Sequence, residues 1–157
     1  HTTIGGVARA DSVLAGLRAL CDKVEESRFV LVHDAARPCV RAADISRLIE
    51  QGIPAGGALL AAPVRDTLKR ADAQGRVVAT EPREARWRAM TPQLFRLREL
   101  MQALESARDA GIAVTDEAMA MERVGHSPLL VEGSEDNIKV TTAADFALAQ
   151  FILSRTD

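Results

Sequence analysis

Short, wholly apolar runs set between helical stripes constrain this chain more than any other feature. "FVLVH" at 29–33 and "GGALLAAPV" at 56–64 lack the polar–apolar alternation of a strand with one wet face, so they read as strands covered on both sides. "PLLVEG" at 128–133 reads as a further strand. Between them, apolar residues recur at helical spacing. Val13, Leu14, Leu17, Leu20 and Cys21 follow Ser12 or Asp11 as a cap. Ile45, Leu48 and Ile49 follow Asp44 as a cap and stop at Gly52. The segment "TPQLFRLRELMQALESARDAG" at 91–111 reads as one helix with Pro92 near its first turn and Gly111 at its end. Thr115 and Asp116 start another helix, and in "TTAADFALAQFIL" Thr142 and Asp145 stand at capping-box spacing. Buried strands alternating with helices predict an α/β domain with a mostly parallel sheet flanked by helices, and such sheets bind ligands beyond the C-terminal ends of their strands.

One stretch breaks that pattern. "RDTLKRADAQGRVVATEPR" at 65–83 has two polar–apolar alternating segments about a turn at Asp72, Gln74 and Gly75, which predicts a hairpin leaving the main sheet as an arm. Arg65, Asp66, Thr67, Lys69 and Arg70 would lie on its first strand, with Arg83, Arg86 and Arg88 on or after the second. A lone hairpin is marginal in water, so a second subunit is a plausible packing partner; a solvated, charge-protected hairpin fits the same residues.

Composition narrows the partners. Lys and Arg number 20 against 22 Asp and Glu, and aromatics are 3% with no Tyr and a single Trp, Trp87. That leaves neither a global basic field nor stacking platforms for nucleic acid. No run approaches the roughly 18 apolar residues of a membrane span. Cys21 and Cys39 are spaced like neither a zinc site nor a redox pair, and a reducing, cytoplasmic setting is expected.

Asp34 stands where the strand 29–33 ends, in the turn "HDAARP". A carboxylate there can hold magnesium together with phosphate oxygens, or it can simply close the turn, alone or with Arg37. "GGVARADSV" joins a glycine pair to a helix start and would offer free N–H groups to an anion or a base edge, although this is also ordinary loop grammar. Lys139 precedes a helix, where its ammonium can meet a phosphate or merely face solvent. His33 and His126 have no companions at metal-ligand spacing, and neither Ser12 nor Cys39 has a neighbouring general base in sequence.

Six blocks, "GGVARADSVLAGL", "VLVHDAARPCV", "APVRDTLKR", "MTPQLF", "TDEAMAMERVG" and "EGSEDNIKVTTAADFALAQ", follow one another in an order and spacing that resembles the 2-C-methyl-D-erythritol 4-phosphate cytidylyltransferases. The resemblance runs essentially from end to end. It implies a Rossmann-like sheet of the nucleotide-diphospho-sugar transferase type, a homodimer, and a β-arm at 64–88 that reaches into the partner's site. It implies CTP and a sugar-alcohol phosphate as substrates, a magnesium ion at Asp34, and cytidylyl transfer with release of pyrophosphate. The resemblance further matches Arg83 and Lys139 to the catalytic groups that position the substrate phosphate, with Thr67 and Thr115 beside it. Gly6 and Ser12 match the cytosine contacts, and Asp34 and Ala35 lie near the ribose and metal. Val7 stands where some relatives carry an aspartate. The family also has a leading strand and a glycine-rich triphosphate loop, which residues 1–157 do not include. Readings left beside this one are a pentitol-phosphate cytidylyltransferase, a non-catalytic dimerisation or binding module, and a chain fused after "FILSRTD" to a downstream enzyme.

Overall fold

In a computed structural model, residues 1–21 and 23–155 are described. Helix α1 spans Arg9–Cys21, strand β1 Phe29–Val32, helix α2 Ala42–Gly52 and strand β2 Ala58–Pro63. Strands β3 (Leu68–Ala71) and β4 (Val77–Glu81) precede strand β5 (Trp87–Arg96) and helix α3 (Leu97–Asp109). Helix α4 (Glu117–Arg123), strand β6 (Leu129–Glu132) and helix α5 (Ala143–Leu153) complete the order.

The main sheet runs β1-β5-β2-β6. β2 and β6 pair in parallel, whereas β5 lies antiparallel between β1 and β2. Three of the four strands therefore point one way, the mostly parallel α/β arrangement expected. Their side chains feed two apolar layers. On one, Leu14 and Leu17 of α1 meet Leu59, Phe95, Leu100, Leu104 and Met121; on the other, Leu48 of α2 meets Ala58, Leu60, Met90, Leu94 and Val131. Leu60 is fully buried, as a central strand without polar alternation requires. Gly57 has φ +156°, and a Cβ there would lie 2.6 Å from the ring of Phe95, so only glycine lets the chain enter β2 so close to β5.

Strand β5 corrects the expected single helix over 91–111. Met90 to Phe95 are all buried, and the segment bridges β1 and β2, so helix begins only at Leu97. Leu94 and Phe95 stand at helical spacing from the apolar face of α3, and that continuity hid the boundary. The Thr91–Pro92 bond within β5 is cis.

The hairpin β3–β4 forms its own two-stranded sheet, closed at its neck by Val64 N–H donating to Arg86 O at 2.9 Å. Arg65, Asp66 and Thr67 lie in the lead-in rather than on β3, which begins at Leu68. Arg65 there is held 2.5 Å from Glu135 of the main body.

Two caps also differ from expectation. Asp44 sits inside the first turn of α2, whose N-cap residue is Arg41, and its buried carboxylate accepts from Ser134 N–H at 2.9 Å instead of capping. Helix α1 starts at Arg9, three residues early, because Asp11 reaches back to Ala8 N–H at 3.0 Å. Asp116 caps α4, and Thr142 and Asp145 form the expected capping box on α5.

Candidate active site

The site is built from the loops at one end of the sheet. Asp34 follows β1, with its backbone N–H donating to Thr91 Oγ1 of β5 at 3.0 Å. Lys139 lies on the segment before α5, which is tied to the same turn by Val140 N–H donating to Ala36 O at 2.8 Å. Asn137, buried, donates from Nδ2 to Thr91 O at 2.8 Å, while its main-chain carbonyl accepts from Arg37 Nη1 at 2.6 Å. Three distant segments are thereby locked into one frame.

Within that frame the charges form a line. Glu117 of α4, fully buried, grips Arg9 of α1 bidentately at 2.6 and 3.0 Å. The remaining Arg9 Nε donates to Asp34 Oδ1 at 2.9 Å, and Lys139 Nζ lies 3.0 Å from Asp34 Oδ2. Burial pushes the Asp34 carboxyl upward, but the hydrogen bonds from Lys139 and Arg9 outweigh it and hold it below its usual range. The bond to Glu117 holds Arg9 more firmly protonated, and burial pulls Arg37 downward.

Beside this line opens a cavity of about 230 Å³ whose walls include Arg9, Asp34, Arg37, Thr115, Asp116 and Lys139. Three cationic groups and a threonine hydroxyl around so small a space suit a compact phosphorylated ligand. The structure thus brings together Asp34, Thr115 and Lys139. Arg83 and Thr67 line a different cavity of about 330 Å³ on the arm, with Thr80, Glu81, Pro82 and Glu84. Arg83 Nη1 there donates to the Arg65 carbonyl.

Gly6 and Ser12 are joined, Gly6 N–H donating to Ser12 Oγ at 3.1 Å. This corrects the expectation of free N–H groups at that junction: those of Gly6 and Ala8 are taken by Ser12 and Asp11. Ala35 is exposed next to Asp34. Among the described residues no cluster of three or more His, Cys, Asp or Glu could hold a metal by itself. Magnesium commonly takes one carboxylate and completes its shell with phosphate oxygens; at Asp34 both oxygens are engaged, by Arg9 and by Lys139, so a cation would have to share Oδ2 with the lysine. Arg9, Arg37 and Glu117 join the site with little signature in the sequence: Arg37 stands in the charged "DAAR" of 34–37, and nothing local marks the other two.

Similarity to known proteins first sets the class: the chain falls among the cytidylyltransferases, a group of nucleotidyltransferases. The family model for 2-C-methyl-D-erythritol 4-phosphate cytidylyltransferase matches residues 2–155, and the chain belongs to that family. A relative of that name from Stenotrophomonas maltophilia is 63% identical over 155 residues, covering 98% of this chain and 67% of the relative. One from Xanthomonas axonopodis pv. citri is 60% identical over 158 residues, covering 99% and 59%. The crystal structure of the Francisella tularensis enzyme superposes with a TM-score of 0.87 at 38% identity, over 94% of this chain and 69% of that one. The chain thus spans between about three fifths and two thirds of the length of these curated relatives. Among the described residues no helix is long and apolar enough to cross a membrane.

Proposed function

We propose that the protein carrying this chain joins CTP to 2-C-methyl-D-erythritol 4-phosphate, giving 4-diphosphocytidyl-2-C-methyl-D-erythritol and pyrophosphate in isoprenoid synthesis. The observation that carries this reading is the meeting of Lys139, Thr115 and Asp34 on one small cavity at the ends of the strands. Two anions must be brought together, with a substrate phosphate oxygen approaching the α-phosphorus in line with the departing pyrophosphate. Such transfer depends on positioning and on cationic stabilisation. Lys139 supplies a compact charge and Thr115 a hydroxyl for the sugar phosphate. Asp34 would hold a magnesium ion, which when bound neutralises charge on the phosphate oxygens. Gly6, Ser12 and Ala35 would lie on the nucleotide side.

Among the described residues Arg83 and Thr67 line a cavity separate from that of Lys139, and the arm that carries them is tied to the main body at its base, where Arg65 and Arg88 pair with Glu135. We therefore propose a homodimer with exchanged arms, in which each Arg83 serves the other subunit, in a reducing, cytoplasmic setting. Pyrophosphate release from CTP with either methylerythritol phosphate or ribitol 5-phosphate tests the substrate; preference for the pentitol phosphate would overturn the assignment. Mixing Arg83→Ala with Lys139→Ala subunits should restore one intact site per mixed dimer. Mixed dimers that form and stay inactive would overturn the shared site.

A further inference from the structure

We propose that Glu117 is a positioning residue for the phosphate-binding lysine, acting through Arg9 and Asp34. This rests on the cytidylyl transfer proposed above. Lys139 is exposed and carried on a flexible four-carbon stem, so its ammonium has no rigid support of its own. Its orientation comes from Asp34 Oδ2, 3.0 Å away. The Asp34 carboxylate is in turn rotated by Arg9 Nε on Oδ1. Arg9 can present that single N–H because Glu117 occupies its two terminal nitrogens, fixing the guanidinium plane.

Glu117 itself cannot drift. It is fully buried on the first turn of α4, beside Asp116, which caps the helix by accepting Met119 N–H at 2.9 Å and receives Gln93 Nε2 at 3.0 Å. The adjoining Thr115 faces the phosphate cavity, so one tripeptide holds both the hydroxyl and the distant lysine in register. A buried pair that merely joined α1 to α4 would not need its arginine to reach a third, ligand-facing carboxylate.

The charge count supports the same role. With Glu117 present, Arg9 is already neutralised, and Asp34 shares only one N–H with it. Without Glu117, the whole guanidinium is free to close bidentately on Asp34, drawing the carboxylate off Lys139. The lysine would then be released to solvent.

The test uses the intact protein. Glu117→Gln removes the charge while preserving shape; Arg9→Lys keeps a cation that cannot form the fork and the Nε bond together. Each should raise KM for the sugar phosphate roughly tenfold, the effect of losing one charge-assisted hydrogen bond. KM for CTP is measured beside it, since Asp34 is also assigned to the nucleotide and metal side. Lys139 is followed separately by reductive ¹³C-methylation, its signal assigned by loss in Lys139→Arg. The split N-methyl resonances of a held ammonium should collapse to one sharp line in both variants. Should either variant fail to fold, the other carries the test. A folded variant with unchanged sugar-phosphate KM and an intact split signal would overturn the positioning role. Absence of cytidylyl transfer in the unaltered protein would instead overturn the functional reading, while the lysine signal would still report whether the four charges are wired as described.

Discussion

The carboxylate of Asp44 makes two contacts whose contributions can be separated. Oδ2 accepts from Ser134 N–H at 2.9 Å, joining α2 to the loop that leads to Asn137 and Lys139; Oδ1 pairs with Arg47. Asp44 is 4% exposed, so its oxygens cannot turn to water. A backbone bond to a buried carboxylate contributes about 1.5–3 kcal/mol. The pair with Arg47, whose side chain is 41% exposed, contributes at most about 1 kcal/mol once screening is counted. Arg47 also keeps the Glu132 carbonyl as an acceptor at 2.9 Å whichever residue stands at 44. A negative charge in the first turn adds about 0.3–1 kcal/mol through the helix dipole. Asp44→Asn retains a neutral oxygen for Ser134, so it loses the two charge effects and the charge assistance of that bond, about 1–2 kcal/mol together. Asp44→Ala loses all three, about 2–4 kcal/mol. Urea unfolding followed by circular dichroism measures both, with m-values expected to be unchanged. Equal losses in the two variants would refute the reasoning, since they would show that charge, not the bond to Ser134, holds the loop.

Gly57→Ala should destabilise by about 1–3 kcal/mol, because the new methyl meets the Phe95 ring at 2.6 Å on a backbone with φ +156°; a thermal midpoint equal to that of the unaltered protein would show that β5 can yield. Asp145 is drawn down to about 2 by the N–H and hydroxyl of Thr141 and by Thr142, so its contribution to stability is complete above the ordinary carboxylate value of 3.8 and is lost as pH falls toward 2. Asp145→Ala should therefore be less stable than the unaltered protein at pH 6, with most of that difference gone at pH 2, as read by urea midpoints at the two values.

The parts of the site legible in the sequence are those whose meaning lies in short segments. "HDAARP" ends an apolar run, so Asp34 could be assigned to a strand end before any contact was known, and "TDEAM" announces a capped helix with Thr115 just ahead of it. Strand β5 was not legible because "MTPQLF" holds proline and glutamine and no β-branched residue except Thr91; its strand character comes from being clasped between β1 and β2. The charge line was hidden for a different reason. Arg9 and Glu117 are 108 residues apart, and each looks locally like an ordinary polar residue near a helix start. What distinguishes Glu117 is complete burial, which depends on how α4 packs against α3 and α1 and has no local signature. A buried charge persists only with a partner, and the partner's leftover N–H is then aimed wherever the fork geometry leaves it. In this fold it falls on Asp34, so Glu117, outside the cavity wall, bears on the orientation of a carboxylate that lines it.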